Sequence, residues 1–138
     1  MLGEAKDELV ELAIAHGKYQ APEYQPTLVE HKVRIELPEA PYDLFGIIDL
    51  VDNQQRVVDF KTASRRKNQQ DADASVQLTV YAAAYQYMSG QPPAEIRLDI
   101  IVKTATKTDR QVLTTRRVLE DFDAIARRIN VVAAAIQA

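Results

Sequence analysis

Residues 44–51 and 56–61 are two apolar stretches of strand length, and only Asp52-Asn53-Gln54-Gln55 separates them. A connection that short cannot cross back over a sheet, so the two stretches must pair as an antiparallel hairpin. The stretch before them, residues 27–37, alternates, with Val29, Val33, Ile35 and Leu37 on one side and Pro38 and Pro41 closing it. A three-stranded meander is therefore predicted over residues 27–61.

Helical periods surround it. Leu9, Val10, Leu12 and Ala13 mark the apolar side of an opening helix that ends near His16-Gly17, followed by a loop through Pro26. Residues 72–89 read as a second helix, stopped by Ser89-Gly90 before Pro92-Pro93. Two more strands, 95–103 and 111–118, flank the polar segment TATKTDR. A last helix, about 119–137, carries Leu119, Phe122, Ile125, Ile129, Val132 and Ile136 at helical spacing. The order is α, three β, α, two β, α, with no internal repeat or linker.

With 138 residues and 46% apolar content, the whole chain, 1–138, is expected to form one domain with a real core. There is no cysteine, which excludes disulfides, thiolate zinc sites, iron–sulfur clusters and a cysteine nucleophile. No apolar run reaches the roughly 18 residues of a membrane span, and the acidic, amphipathic opening is unlike a signal peptide. A cytoplasmic protein without a membrane partner is expected. Net charge is −3, but it is unevenly placed. Residues 1–45 hold nine acids and four bases, whereas residues 61–70 hold four bases, Arg65 and Arg66 among them, and no acid. Residues 97–117 add six bases against two acids. Two basic segments on an acidic body suit a local phosphate groove, and solvated basic loops would give the same count.

Strand parity gives this charge a focus. Asp59 and Lys61 share a face of their strand while Phe60 points the other way. A three-residue loop of Asn53, Gln54 and Gln55 sets Asp52 against Arg56, Val51 against Val57 and Asp49 against Asp59. Both carboxylates then face Lys61's side. An even loop would throw them onto opposite faces. Two like charges at cross-strand distance repel, and a divalent cation resolves the repulsion. Magnesium takes hard oxygen ligands, one or two carboxylates with phosphate oxygens and water, which suits Asp49 and Asp59 with the Phe60 carbonyl as a further ligand. Lys61 would then orient a water or stabilise charge on a phosphate. The plain alternative for Asp59 and Lys61 is a solvated pair at the end of an edge strand. Glu30, on the preceding strand, can reach the rim of the same site or simply be solvated. Gln77 and Tyr81 lie four apart on one helix face, where they can meet a phosphate or a base, or pack with Tyr85 against the sheet.

Taken in order, Glu30, Phe45-Gly46-Ile47-Ile48-Asp49, Val57-Val58-Asp59-Phe60-Lys61-Thr62 and the Gln77-x-x-x-Tyr81 motif resemble the PD-(D/E)XK nuclease superfamily, most closely its RecB-like exonuclease branch. The likeness spans residues 28–88 by motif. It implies an α/β fold, a restriction-endonuclease-like three-layer core whose central mixed sheet of about five strands is flanked by helices. It also implies hydrolysis of DNA with Mg2+ or Mn2+ and no covalent enzyme intermediate, acting in DNA repair or recombination on single-stranded or free-ended DNA, with a helicase as a partner. By that implication Asp49, Asp59 and the Phe60 carbonyl bind the metal, Glu30 supports its shell and Lys61 serves the attacking water. Gln77, Tyr81, Arg65 and Arg66 hold the substrate.

Two family features are missing. The branch usually carries an upstream helical His in a G-x-x-H context, and His16, at a helix end and followed by Gly17, does not match; the expected His would lie in a segment outside this chain, or the site would work with fewer ligands. Many members also end in a cysteine cluster, and this chain is expected to be a compact core or a piece of a larger protein. A silent RecB-like module binding DNA or a helicase, and a small interaction domain with an accidental acidic pair, are the competing classes.

Overall fold

The computed structural model describes residues 2–36 and 43–137, with side chains placed for 6–36, 43–131 and 135. Its elements run α1 (Leu2–Ala15), a π turn (His16–Gln20), a 3-10 turn (Ala21–Glu23), β1 (Pro26–Glu36), β2 (Asp43–Asp52) and β3 (Arg56–Ala63). They continue with α2 (Gln69–Asp73), α3 (Val76–Ser89), β4 (Glu95–Lys103), β5 (Thr108–Thr115) and α4 (Leu119–Gln137). Leu37, expected on the apolar side of β1, Pro38 and Pro41, expected to close it, and the side chains of Val132 and Ile136 lie outside the described residues.

The five strands form one sheet in the order β1-β2-β3-β4-β5. All neighbours are antiparallel except β3 and β4, which are parallel because the helical segment between them carries the chain back. One face is covered by α3 and α4. There Leu78 and Ala82 pack on Ile96, Leu98, Ile100 and Val102, with Phe122 against the cluster. Ala84 and Tyr85 pack on Val33, Ile48, Val51 and Val57. On the opposite face Tyr24, Leu50 and Val58 form a smaller core with Phe60 against it. This is the three-layer α/β architecture expected, with a mixed sheet between helices.

The β2–β3 connection carries the predicted register. Val51 pairs with Val57 and Leu50 with Val58, so Asn53, Gln54 and Gln55 form a three-residue loop. Gln55 adopts φ 62°, the left-handed residue that such loops use. Asp52 fixes the turn: its Oδ1 accepts from the Gln54 and Arg56 N–H groups, both at 3.0 Å, and its Oδ2 pairs with Arg56 Nε at 2.6 Å.

Three expectations change. The helix expected over 72–89 is broken, because Ser75 caps α3 by accepting from Leu78 N–H and buried Arg117 donates to the carbonyls of Ala72 and Ser75 at 2.8 and 3.1 Å. A continuous helix would need those carbonyls for itself. The last strand is shifted to Thr108–Thr115, since a Thr104 N–H to Lys107 carbonyl bond closes a tighter turn than the one expected. The apolar side of α1 does not face the core: Leu9 is 67% exposed and Val10 is also exposed, while Ala15 is buried and Leu12 half-buried. The helix is held instead by a Glu11–Lys103 ion pair at 3.1 Å and by the turn that follows it.

Arg117 also donates to Thr79 and Thr115 hydroxyls, each at 2.7 Å, so one guanidinium joins α2, α3 and β5. Arg117→Met should strand these acceptors and lower unfolding free energy by roughly 2–4 kcal/mol in urea titration. A loss below about 1 kcal/mol would show that the break between α2 and α3 does not depend on it.

Candidate active site

The β2–β3 ladder stops after Leu50 and Val58, and the two strands fork there. Asp49 and Asp59 are the next residues in register, and they meet at the fork without a ladder bond between them. Asp49 Oδ2 instead accepts the Phe60 N–H at 2.9 Å, standing in for the main-chain partner that β3 has lost. In an extended strand a residue's N–H and C=O point to the same edge, so the Phe60 carbonyl also opens into the fork. The two carboxylates and Lys61 converge as parity predicts.

Asp59 is only 2% exposed. Its Oδ2 is buried with no hydrogen-bond partner among the described residues. Lys61 Nζ stands 3.5 Å from that oxygen, an ion-pair distance too long for a good hydrogen bond, and remains 40% exposed. Burial first, and then the neighbouring Asp49, push the Asp59 carboxyl from 3.8 up to about 6 against the pull of Lys61.

A cleft of about 480 Å³ opens beside the fork, lined by His16, Glu30, Asp49 and Phe60 among others. Glu30 lies between the pairs Val29–Leu50 and His31–Ile48, opposite Asp49, and is exposed. Its φ of 46° is uncommon for a residue other than glycine and marks a local twist of β1 at the site. Gln77 Nε2 donates to the Tyr81 hydroxyl at 2.9 Å, so the two helix residues act as a unit over the sheet. Burial and the charges of Asp59 and Asp49 raise the Tyr81 phenol, although the Gln77 hydrogen bond works the other way. Arg65 and Arg66 are exposed on the loop after β3, and Arg66 turns to Asp109 at 3.0 Å. No ion pair or hydrogen bond among the described residues joins either arginine to the carboxylates.

His16, set aside on sequence context, comes to the cleft after all. The π turn after α1 carries its ring against Phe60 in a T-shaped contact, with centroids 5.0 Å apart. Its Nδ1 lies 2.6 Å from Gln20 Oε1. Gln20 Nε2 in turn donates to the Asp99 carbonyl at 3.1 Å and to its Oδ1 at 3.0 Å. Asp99 is fully buried on β4 and also accepts from the Tyr24 hydroxyl at 2.5 Å and from Arg110 Nε and Nη2 at 3.0 and 2.7 Å. Burial alone would raise its carboxyl, but hydrogen bonds from Arg110, Tyr24 and Gln20 hold it below the usual range. The segment bearing His16 is thus bolted to β4. The one sequence signal for this clamp is an acid inside the apolar strand EIRLDIIVK.

The donor set fits a hard divalent cation: two carboxylates, one with an orphaned buried oxygen, and a main-chain carbonyl. Among the described residues, no group of three His, Asp and Glu side chains is placed to enclose a metal alone.

The family model of the PD-(D/E)XK nuclease superfamily matches residues 2–138, and the chain belongs to that superfamily. None of the curated proteins compared matches it. Among solved structures it is similar to a candidate exonuclease from Eubacterium rectale, at 13% identity and TM-score 0.57 over 87% of this chain and 47% of that one. It is also similar to the protein SSO0001, at 16% identity and TM-score 0.52 over 95% of this chain and 58% of that one. At such identities the likeness speaks for the fold. The chain spans about half the length of these structures. No helix among the described residues is long and apolar enough to cross a membrane.

Because the Asp59 carboxyl titrates near 6 when folded and near 3.8 when unfolded, its stabilising contribution is full below about 4 and lost as pH rises through about 6. Asp59→Asn should therefore stabilise the metal-free protein at pH 7.5 by roughly 2–3 kcal/mol, and the gain should shrink toward pH 4. Equilibrium unfolding across that range checks the sign; a variant less stable than the parent at pH 7.5 would contradict it.

Proposed function

We propose that this chain is a metal-dependent deoxyribonuclease of the RecB-like branch, hydrolysing phosphodiester bonds in single-stranded or free-ended DNA with Mg2+ or Mn2+. The observation that carries the reading is Asp59 Oδ2, a carboxylate oxygen buried beside a second carboxylate and left without a hydrogen-bond donor among the described residues. Such an arrangement is costly unless a cation completes it. Asp49, Asp59 and the Phe60 carbonyl would hold the ion, with Glu30 at the rim reaching its shell only through water. When bound, the ion supplies positive charge for the phosphate and acidifies water.

The remaining roles belong to the chain. Lys61, half-exposed beside Asp59, directs its ammonium at the attacking water and at charge growing on the phosphate oxygens. Gln77 fixes the Tyr81 hydroxyl, and the pair lines the path of the strand on the α3 side. Arg65 and Arg66, on the loop after β3, meet phosphates farther along the strand. The exonuclease description of the Eubacterium rectale protein and the branch's motifs favour ends as the point of attack. A cytoplasmic setting, a part in DNA repair or recombination and a helicase partner belong to the same reading.

Labelled linear and circular DNA, incubated with and without Mn2+, test it. Metal-dependent cutting should fall at least 1000-fold in Asp59→Ala. Lys61→Met should lose about 100-fold or more in rate while Mn2+ affinity changes little. DNA binding without cutting would favour a silent module, and loss of Mn2+ affinity in Lys61→Met would overturn the role given to Lys61.

A further inference from the structure

We propose that the open face of the β1–β2 hairpin, with Phe45 at its centre, is a stacking platform for single-stranded DNA leading away from the Asp49 fork. The choice of occupant rests on the deoxyribonuclease reading above; the open face does not.

The hairpin has two unlike faces. Val33 and Ile48 are buried under α3, with Ile35 packed against the same cluster. Their neighbours alternate to the other side, where Lys32 stands opposite Ile47 and Arg34 opposite Phe45. Among the described residues nothing buries that side. Phe45 is 76% exposed, more than any other large apolar side chain described, and Ile47 is 48% exposed. Val29, also exposed, carries the apolar strip into the cleft that Asp49 lines. Ile47 and Phe45 precede Asp49 on β2 by two and four positions, about 7 and 14 Å at the rise of a strand. A strand held at the fork and leaving over this face meets them next.

The charges decide what lies there. Arg34 gives its Nε to Asp43 at 2.7 Å while its guanidinium stands 5.9 Å from the centre of the Phe45 ring, so it braces the ring and adds no surplus charge. Lys32 is exposed, but Glu30 and Glu36 on the same strand offset it. A duplex offers such a surface its phosphates, whose capture needs an excess of cations. An unpaired strand offers the flat faces of its bases, which stack on an aromatic ring whatever their identity. An exposed ring, aliphatic neighbours and balanced charge therefore select the unpaired strand. Because the back of the hairpin is packed under α3, Phe45 sits on a fixed ribbon and stacking costs little ordering.

The chain has no tryptophan, so Phe45→Trp places a single indole on the platform. In Mg2+, a phosphorothioate single strand, which resists cutting, should quench its emission, and the matching blunt duplex should leave it nearly unchanged. Phe45→Ala should weaken single-strand binding, read by anisotropy of a labelled oligonucleotide, by about 10-fold or more. The dependence of that affinity on salt should not change, since no phosphate contact is removed, and Phe45→Tyr should bind as the parent does. Single-strand binding by the parent, with unchanged emission in Phe45→Trp or unchanged affinity in Phe45→Ala, overturns the platform and leaves the deoxyribonuclease reading standing. Equal quenching by the duplex overturns the selection of an unpaired strand. Emission that shifts with protein concentration alone gives the face to a second copy of the chain and overturns the platform as well. A parent that neither binds nor cuts DNA brings down the platform together with the reading beneath it.

Discussion

The hydrogen bond from Phe60 N–H to Asp49 Oδ2 lets β2 leave β3 without orphaning the strand it abandons. A ladder that ends in mid-strand exposes main-chain groups that must find partners. By taking the place of a β2 carbonyl, Asp49 satisfies one of them and is itself fixed at the crotch of the fork. The fork then leaves room beside Asp59, turns the Phe60 carbonyl toward the same space, and opens the cleft between β2 and the turn after α1. The rest of the candidate site is arranged around that opening.

Three buried aspartates make the contrast that gives Asp59 its meaning. Asp52 is matched by Arg56 and by two turn N–H groups. Asp99 is matched by Arg110, Tyr24 and Gln20, strongly enough to stay ionised in full burial. Asp59 faces another carboxylate and a lysine at arm's length, and its carboxyl moves up accordingly. The same chain thus satisfies two buried acids completely and leaves the third with a lysine at 3.5 Å and, on Oδ2, no hydrogen-bond donor among the described residues. Uncompensated burial of this kind lowers stability and is retained where a site uses it.

The parts legible in the sequence are those governed by local rules. Strand parity with a three-residue loop puts Asp49, Asp59 and Lys61 on one side, where an even loop would part the two carboxylates, and Asp52 and Gln55 set the three-residue turn within a few residues. The Gln77–Tyr81 pair follows from helical spacing in the same way. What was hidden depends on partners far along the chain. The break between α2 and α3 needs Arg117, more than forty positions downstream of Ala72. The arrival of His16 needs Asp99, 79 positions from Gln20, and no periodicity encodes that contact. The exposed stripe of α1 has the same cause, since its clamped turn, not its apolar side, sets how the helix lies.

The cation site proposed for the protein is the fork between β2 and β3. A crystal soaked in Mn2+, with anomalous scattering at the manganese edge, measures it directly. If Asp49, Asp59 and the Phe60 carbonyl hold the ion, one peak is expected in the fork beside these three groups. A fully soaked crystal with no peak there, or with manganese bound elsewhere and the two carboxylates turned apart, would contradict it.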